Sequence, residues 1–175
     1  VAVRGLFSGG TLCYEAMVLL SRQLGSVYSN VPLRPAWATP APEGAHVCLD
    51  LGEEEFTRSR PHPMLDPAAR VEHIRREADD PSTAVVLLDV VLGHGSHPDP
   101  ASVLAPACAD ASSRSGGPAV VAYVLGTNAD PQGLADQRGQ LAEAGCLLAP
   151  TGARAALMAA ALSRRQPAVA EARLP

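Results

Sequence analysis

The sequence predicts an α/β fold in which a parallel sheet is covered by helices on both faces. Three observations carry this. Apolar, β-branched runs alternate along the chain with segments of helical period. Two of the runs, residues 84–88 and 119–125, are apolar almost without interruption, the pattern of strands buried on both sides. Asp-Pro recurs at Asp66-Pro67, Asp99-Pro100 and Asp130-Pro131, each Asp a candidate helix cap and each Pro a candidate first helical residue. With right-handed crossovers the result is a flavodoxin-like three-layer α/β/α sandwich with a parallel five-stranded sheet.

The elements follow in order. Residues 1–7 are strand-like, and residues 10–24 are helical, with Leu12, Ala16, Leu19, Leu20 and Gln23 at helical spacing. Residues 27–31 are a marginal short strand. Pro32, Pro35, Pro40 and Pro42 make residues 32–45 a loop. A strand at 46–51 leads into a polar excursion over 53–65 and a helix at 67–78. The strongest strand, 84–92, precedes a helix at 100–113. A strand at 119–125, a helix at 134–144, a short strand at 146–149 and a helix at 153–163 complete the domain. Residues 164–175 read as a flexible tail. The chain opens at Val1 inside a strand, so residues 1–163 are read as one domain of a longer protein.

Composition narrows the function. The chain has 175 residues and a formal net charge of −4, enough for one domain with a full core. No basic stripe with interleaved aromatics is present, which argues against nucleic acid. All 14 basic residues are arginine. The absence of lysine excludes a Walker P-loop and a Schiff-base lysine. Cys13, Cys48, Cys108 and Cys146 form no Cys-x-x-Cys pair, so no structural zinc site is expected; they read as buried thiols of a cytoplasmic protein. No apolar run is long enough to span a bilayer.

The most informative local feature is Ser8-Gly9-Gly10-Thr11, which joins the first strand to the first helix. Two glycines let the backbone approach a ligand, and the free N–H groups of a helix start attract phosphate or carboxylate without a cationic side chain. The plain alternative is a tight turn with no guest. In an open parallel sheet ligands bind beyond the carboxyl ends of the strands. That rule adds the loops 51–65, 93–97 and 126–130. Gly93, Gly95, Gly126, Thr127 and Asn128 are therefore candidate anion-binding positions, with His94 and His97 as candidate acid/base groups or a phospho-acceptor. The alternative for the histidines is a loop pair that orients Asp99. Metal ligation would need Asp89, Asp99 or His62 in addition, and no metal is expected. Arg58 and Arg60 suit a carboxylate or phosphate substrate, unless Glu53, Glu54 and Glu55 pair with them. Glu72, Arg75, Arg76 and Glu77 read as a solvated helix face.

Residues 8–16, Ser-Gly-Gly-Thr-Leu-Cys-Tyr-Glu-Ala, resemble the run that opens the CoA-ligase domain of the succinyl-CoA synthetase α-subunit. The stretches 49–52, 55–67, 87–93 and 97–100 are closer to the FdrA branch of acyl-CoA synthetase-like proteins. The resemblance covers roughly residues 1–163. It implies a CoA-ligase domain that follows a CoA-binding domain absent from this chain. It also implies that the helix opened by Ser8, Gly9, Gly10 and Thr11 points its N-terminus at a phosphorylated histidine. The synthetase α-subunit keeps its phospho-histidine in a loop after the strand matching 119–125. Here residues 126–133 hold no histidine, and His94 lies one strand-helix unit too early. FdrA-like proteins are also linked to oxamate carbamoyltransferase in allantoin breakdown.

Three functions follow as expectations. The first is an acyl-CoA synthetase-like ligase domain, inactive alone, with CoA and nucleotide bound only in a fuller assembly. The second is a carbamoyltransferase subunit that uses carbamoyl phosphate. The third is a non-catalytic flavodoxin-like binding or assembly module. FMN fits poorly, because only one tryptophan, three tyrosines and two phenylalanines are available to stack a flavin. The expected partners are the upstream CoA-binding domain, further subunits and a small anionic substrate, with a homodimer allowed.

Overall fold

The structure, a computed structural model, describes residues 1–171. Residues 172–175, the end of the expected tail, lie outside the described residues. The chain runs β1 (Ala2–Phe7), α1 (Gly10–Leu24), β2 (Val27–Tyr28), a 3-10 turn (Pro35–Trp37), β3 (His46–Asp50), α2 (Glu54–Thr57), α3 (Ala68–Asp79), β4 (Thr83–Val91) and α4 (Pro100–Ser113). It continues through β5 (Ala119–Leu125), α5 (Leu134–Glu143), β6 (Leu147–Leu148), α6 (Gly152–Arg164) and a 3-10 turn (Pro167–Val169). The sheet is parallel throughout, in the order β2-β3-β1-β4-β5-β6. This is the expected three-layer α/β/α sandwich. The expected count of five strands is corrected to six, because Val27 and Tyr28 pair with His46 and Val47 as a short outer strand.

Burial explains the layers. In β4, Val85 through Leu88 and Val90 are at most 1% exposed, as a strand covered on both faces requires. On one face Cys13, Ala16, Met17 and Leu20 of α1 pack with Ala155, Ala156, Ala159 and Ala160 of α6. The alanines let the two helices approach closely beneath the sheet. On the other face Ile74 of α3, Leu104 and Cys108 of α4, and Leu141 of α5 form the second cluster. Each fully buried leucine contributes about 1.5–3 kcal/mol from its removal from water. All four cysteines are free and buried. Burial pushes the Cys48 thiol up to about 12 and raises Cys13 as well.

Of the three Asp-Pro helix starts, one holds as expected. Asp99 caps α4 by accepting the Ser102 N–H at 3.3 Å, whereas at α3 Pro67 itself takes the cap position and Asp66, one residue earlier, accepts the Ala68 N–H at 2.9 Å. Asp130 departs from the pattern. Its carboxylate accepts the N–H of Thr127, three residues back, at 2.6 Å. Gly133, at φ 73°, then interrupts the chain, so α5 begins only at Leu134. Glu77 also departs from the expected solvated face: it accepts from Arg4 Nε at 2.9 Å, while Arg4 Nη2 reaches Asp80 at the same distance. In the expected tail, Val169 packs against the α1–α6 cluster and Arg154 donates to the Ala170 carbonyl at 3.1 Å.

Among the described residues, no helix is long and apolar enough to cross a membrane.

Candidate functional site

The strand order places the topological switch point at β1. From β1 the chain passes through α1 to the edge strand β2 and back to β3 on one side, and the next crossover, from β3, carries it past β1 to β4 on the other. In such sheets the crevice beyond the carboxyl ends of the strands at the switch is where ligands bind. Ser8, which follows β1, is buried there. Its N–H donates to Asp89 Oδ1 at 2.8 Å and its hydroxyl donates to Asp89 Oδ2 at 2.7 Å. Asp89 in turn pairs with Arg70 Nη2 at 3.1 Å, with side chains 2% and 3% exposed. Arg70 Nη2 also donates to the carbonyls of Leu6 and Asp89. Ser8 therefore holds the turn in place, and both its donors are occupied.

The donors that remain are those of α1 itself. Gly9 is the N-cap, with extended backbone and no side-chain cap. Among the described residues, no acceptor takes the N–H groups of Gly9, Gly10, Thr11 or Leu12. Gly10 and Thr11 are exposed, and the first turn of α1 carries no acidic residue. These amides meet the conditions for an anion site at a helix start.

Asp50 modifies that site. Two bonds to Asn30 brace the end of β3: Asn30 Nδ2 donates to the Asp50 carbonyl at 2.9 Å, and the Asp50 N–H donates to Asn30 Oδ1 at 3.0 Å. The carboxylate accepts the Gly52 N–H at 2.9 Å through Oδ1. Its Oδ2 lies beside the start of α1, 3.0 Å from where a Cβ on Gly10 would stand. Burial pushes the Asp50 carboxyl above its ordinary value, with the Asp89 charge adding to the rise and the Gly52 bond and His62 opposing it. Gly52 has no room for a side chain: a Cβ there would stand 2.7 Å from His62 Nε2 and 2.9 Å from the Ser8 carbonyl.

The four expected loops do meet. Met64 Cε lies 3.4 Å from the Cβ position of Gly9, and the Met64 carbonyl accepts the His97 N–H at 2.7 Å. Asp130 of the fourth loop brings Oδ1 to 3.9 Å from the Cβ position of Gly93, and Gln132, just past that loop, braces the third. Its Oε1 accepts the Gly93 N–H at 3.1 Å, and its Nε2 donates to the carbonyls of Gly93 at 2.9 Å and His97 at 3.1 Å.

Their chemistry differs from loop to loop. His97 Nδ1 accepts the Asp99 N–H at 3.0 Å, so this ring orients the α4 cap, as the alternative reading had it. His94 and Gly95 are exposed, and Gly95 takes φ 87°. The Thr127 N–H is occupied by Asp130, and Asn128 Oδ1 accepts the Ala135 N–H of α5 at 2.9 Å. Gly126 packs against Leu92, 2.7 Å from a Cβ position. Loop 126–130 thus closes on itself. Arg58 pairs with Glu54 at 3.2 Å, as the acids of that loop allowed, whereas Arg60 pairs with Glu72 at 2.8 Å. Among the described residues, no group of three or more His, Cys, Asp or Glu side chains is placed to hold a metal ion.

Sequence reasoning missed Asp50, Arg70 and Gln132 and weighed Asp89 only as a metal ligand. A signal existed for two of them. Asp89 interrupts an otherwise apolar buried strand, and Arg70 sits four residues before Ile74 on the buried face of α3.

Residues 6–162 match the family model described as CoA-ligase. The chain is also similar to the uncharacterized protein YahF of Escherichia coli (strain K12), 39% identical over 163 residues. That match covers 90% of this chain and 32% of the relative, so the chain spans about a third of the relative's length.

Proposed function

The chain belongs to the CoA-ligase family, and from that premise we propose that it is the ligase domain of an FdrA-type, acyl-CoA synthetase-like protein. Its α1 turn receives the negatively charged group, carboxylate or phosphate, of a small substrate. The observation that carries this is the row of unclaimed amides at Gly9, Gly10, Thr11 and Leu12, at the switch point of a parallel sheet. Asp89 and Arg70 fix Ser8, so the amides are oriented before any ligand arrives, and no reorganisation is needed to bind it. CoA and nucleotide belong to the fuller assembly with a CoA-binding domain and other subunits. His94 is the exposed histidine of the neighbouring loop and the candidate phosphoryl carrier there.

The test is an NMR titration of the chain with inorganic phosphate and with acetate. Saturable shifts of the Gly10, Thr11 and Leu12 amides support the reading; unmoved amides overturn it. Labelled nucleotide added to the full assembly, with wild type and His94→Ala compared, reports on the carrier. Acid-labile label lost in the variant supports His94, and retained label excludes it.

A second reading is favoured by loop 126–130, which carries no histidine and whose Thr127 amide is closed by Asp130. Carbamoyl transfer passes no phosphoryl group through the protein, so a carbamoyltransferase subunit needs no histidine in that loop. Turnover of oxamate with carbamoyl phosphate by the full assembly would establish it; absence of turnover with every subunit combination would remove it.

A further inference from the structure

A cavity of about 300 Å³ lies between α3 and the segment that runs from α2 to Pro63. None of the residues that line it belongs to the α1 turn. Leu51 and Phe56 give it an apolar wall, and Phe56 meets the His73 ring edge-on at 5.8 Å between centroids. Arg60, His73 and Arg76 line it with donors.

Arg60 gives Nη1 to Glu72 at 2.8 Å, and its other N–H groups have no acceptor among the described residues. Arg76 donates through Nη2 to His73 Nδ1, and its Nε stands 3.8 Å from Glu77. A guanidinium only donates, so His73 Nδ1 accepts and the neutral ring carries its hydrogen on Nε2. Three side chains thus hold unused donors at one cavity. The charges set the guest's charge. Two arginines line the space, but Glu72 already pairs with one of them and Glu55 adds a second carboxylate. The formal charges of the lining therefore cancel, so a guest carboxylate is held by guanidinium N–H donors without a net positive field that would draw a dianion.

We propose that this cavity binds a small organic monocarboxylate, with the carboxylate held by Arg60 and Arg76 and the hydrocarbon against Phe56 and Leu51. A forked guanidinium matches the planar carboxylate. The volume sits at the lower end of about 300–1,000 Å³ found for small-molecule sites, which favours an acid of a few carbons. The inference stands independently of any anion at α1.

His73 supplies the readout. Burial first, and Arg76 second, hold its ring at about 4, with Arg60 adding to the depression and Glu72 opposing it. A bound carboxylate brings an opposite charge close and raises that value. The experiment is an NMR titration of the chain with butyrate, formate and inorganic phosphate, following the His73 ring protons and the Phe56 ring. Butyrate is expected to saturate with a Kd on the order of 1 mM, to move both rings and to raise the His73 pKa. Formate, which lacks the hydrocarbon, binds more weakly, and phosphate leaves His73 unmoved. Arg60→Gln and Arg76→Gln each weaken butyrate about tenfold or more, while the His46 resonance reports that the fold is intact. The proposal is overturned if butyrate gives no saturable shift at His73, if the double arginine variant binds it equally well, or if phosphate competes for the same resonances.

Discussion

Replacing Asp50 with asparagine should strengthen anion binding at α1. The variant keeps an oxygen to accept the Gly52 N–H, as Oδ1 does at 2.9 Å in the wild type, and removes one negative charge. Oδ2 stands 3.0 Å from the Cβ position of Gly10. An anion bonded to the Gly10 and Thr11 amides then lies roughly 5 Å from that oxygen, where like-charge repulsion is about 0.8 kcal/mol in bulk water and about 3 kcal/mol at an effective dielectric of about 20. Affinity for phosphate should therefore rise by about 4-fold to 150-fold. Isothermal calorimetry with phosphate, wild type against Asp50→Asn, measures it. The same variant has a stability signature. Burial raises the Asp50 pKa in the folded chain, so between the unfolded and folded values the native state binds more protons than the unfolded state. Stability contributed by the neutral acid is present below the unfolded value and is lost as pH rises through the window above the ordinary aspartate value. Asp50→Asn removes that loss, flattening the slope and leaving the variant at least as stable at neutral pH. Equal or weaker phosphate binding by the variant would refute the reasoning, because Asp50 would then be helping to hold the anion.

Three other outcomes follow from the same geometry. Asp89→Asn leaves Arg70 buried without its counter-charge and should cost about 3–5 kcal/mol, read from urea midpoints; a cost below about 1 kcal/mol would mean the pair does not hold the turn. Gly52→Ala places a Cβ 2.9 Å from the Ser8 carbonyl and 2.7 Å from His62, so it should destabilise by about 1–3 kcal/mol and broaden the α1 amide resonances; wild-type stability would show that the turn has slack. His46 accepts the Val3 N–H through Nδ1 at 3.1 Å, and burial lowers its pKa, as it does for His73, which falls to about 4. The unfolded chain takes up these protons first, so stability should fall as pH drops below about 6.5; a His46→Gln, His73→Gln double variant should lose most of that slope, and an unchanged slope would exclude these two rings as its source.

Much of the fold was legible because its signals are local. The Gly10–Leu24 and Pro100–Ser113 helices coincide with their predicted bounds. Apolar periodicity and the Asp99-Pro100 cap fix them without reference to the rest of the chain. Asp130 was misread because an aspartate before a proline can turn back to Thr127 as readily as forward into a helix. Gly133 and Gln132 decide between the two, and Gln132 answers to Gly93, almost forty residues away. The short strand β2 depends on its partner β3, so two residues of sequence could not establish it. The site divides in the same way. The glycine turn at Gly9-Gly10 is readable from its neighbours. Ser8 read as a donor to the guest, and only the long-range contact to Asp89 makes it a fixed support. Arg58 and Arg60 read alike in sequence, yet Arg60 faces the α2–α3 cavity and Arg58 only its own helix.

The most direct test of the central claim is a crystal structure of the chain with inorganic phosphate. The account predicts an anion about 2.7–3.1 Å from the Gly10 and Thr11 nitrogens, with Ser8 still bonded to Asp89. A turn that stays empty at saturating phosphate, or Ser8 released from Asp89 to bind the anion itself, would contradict it.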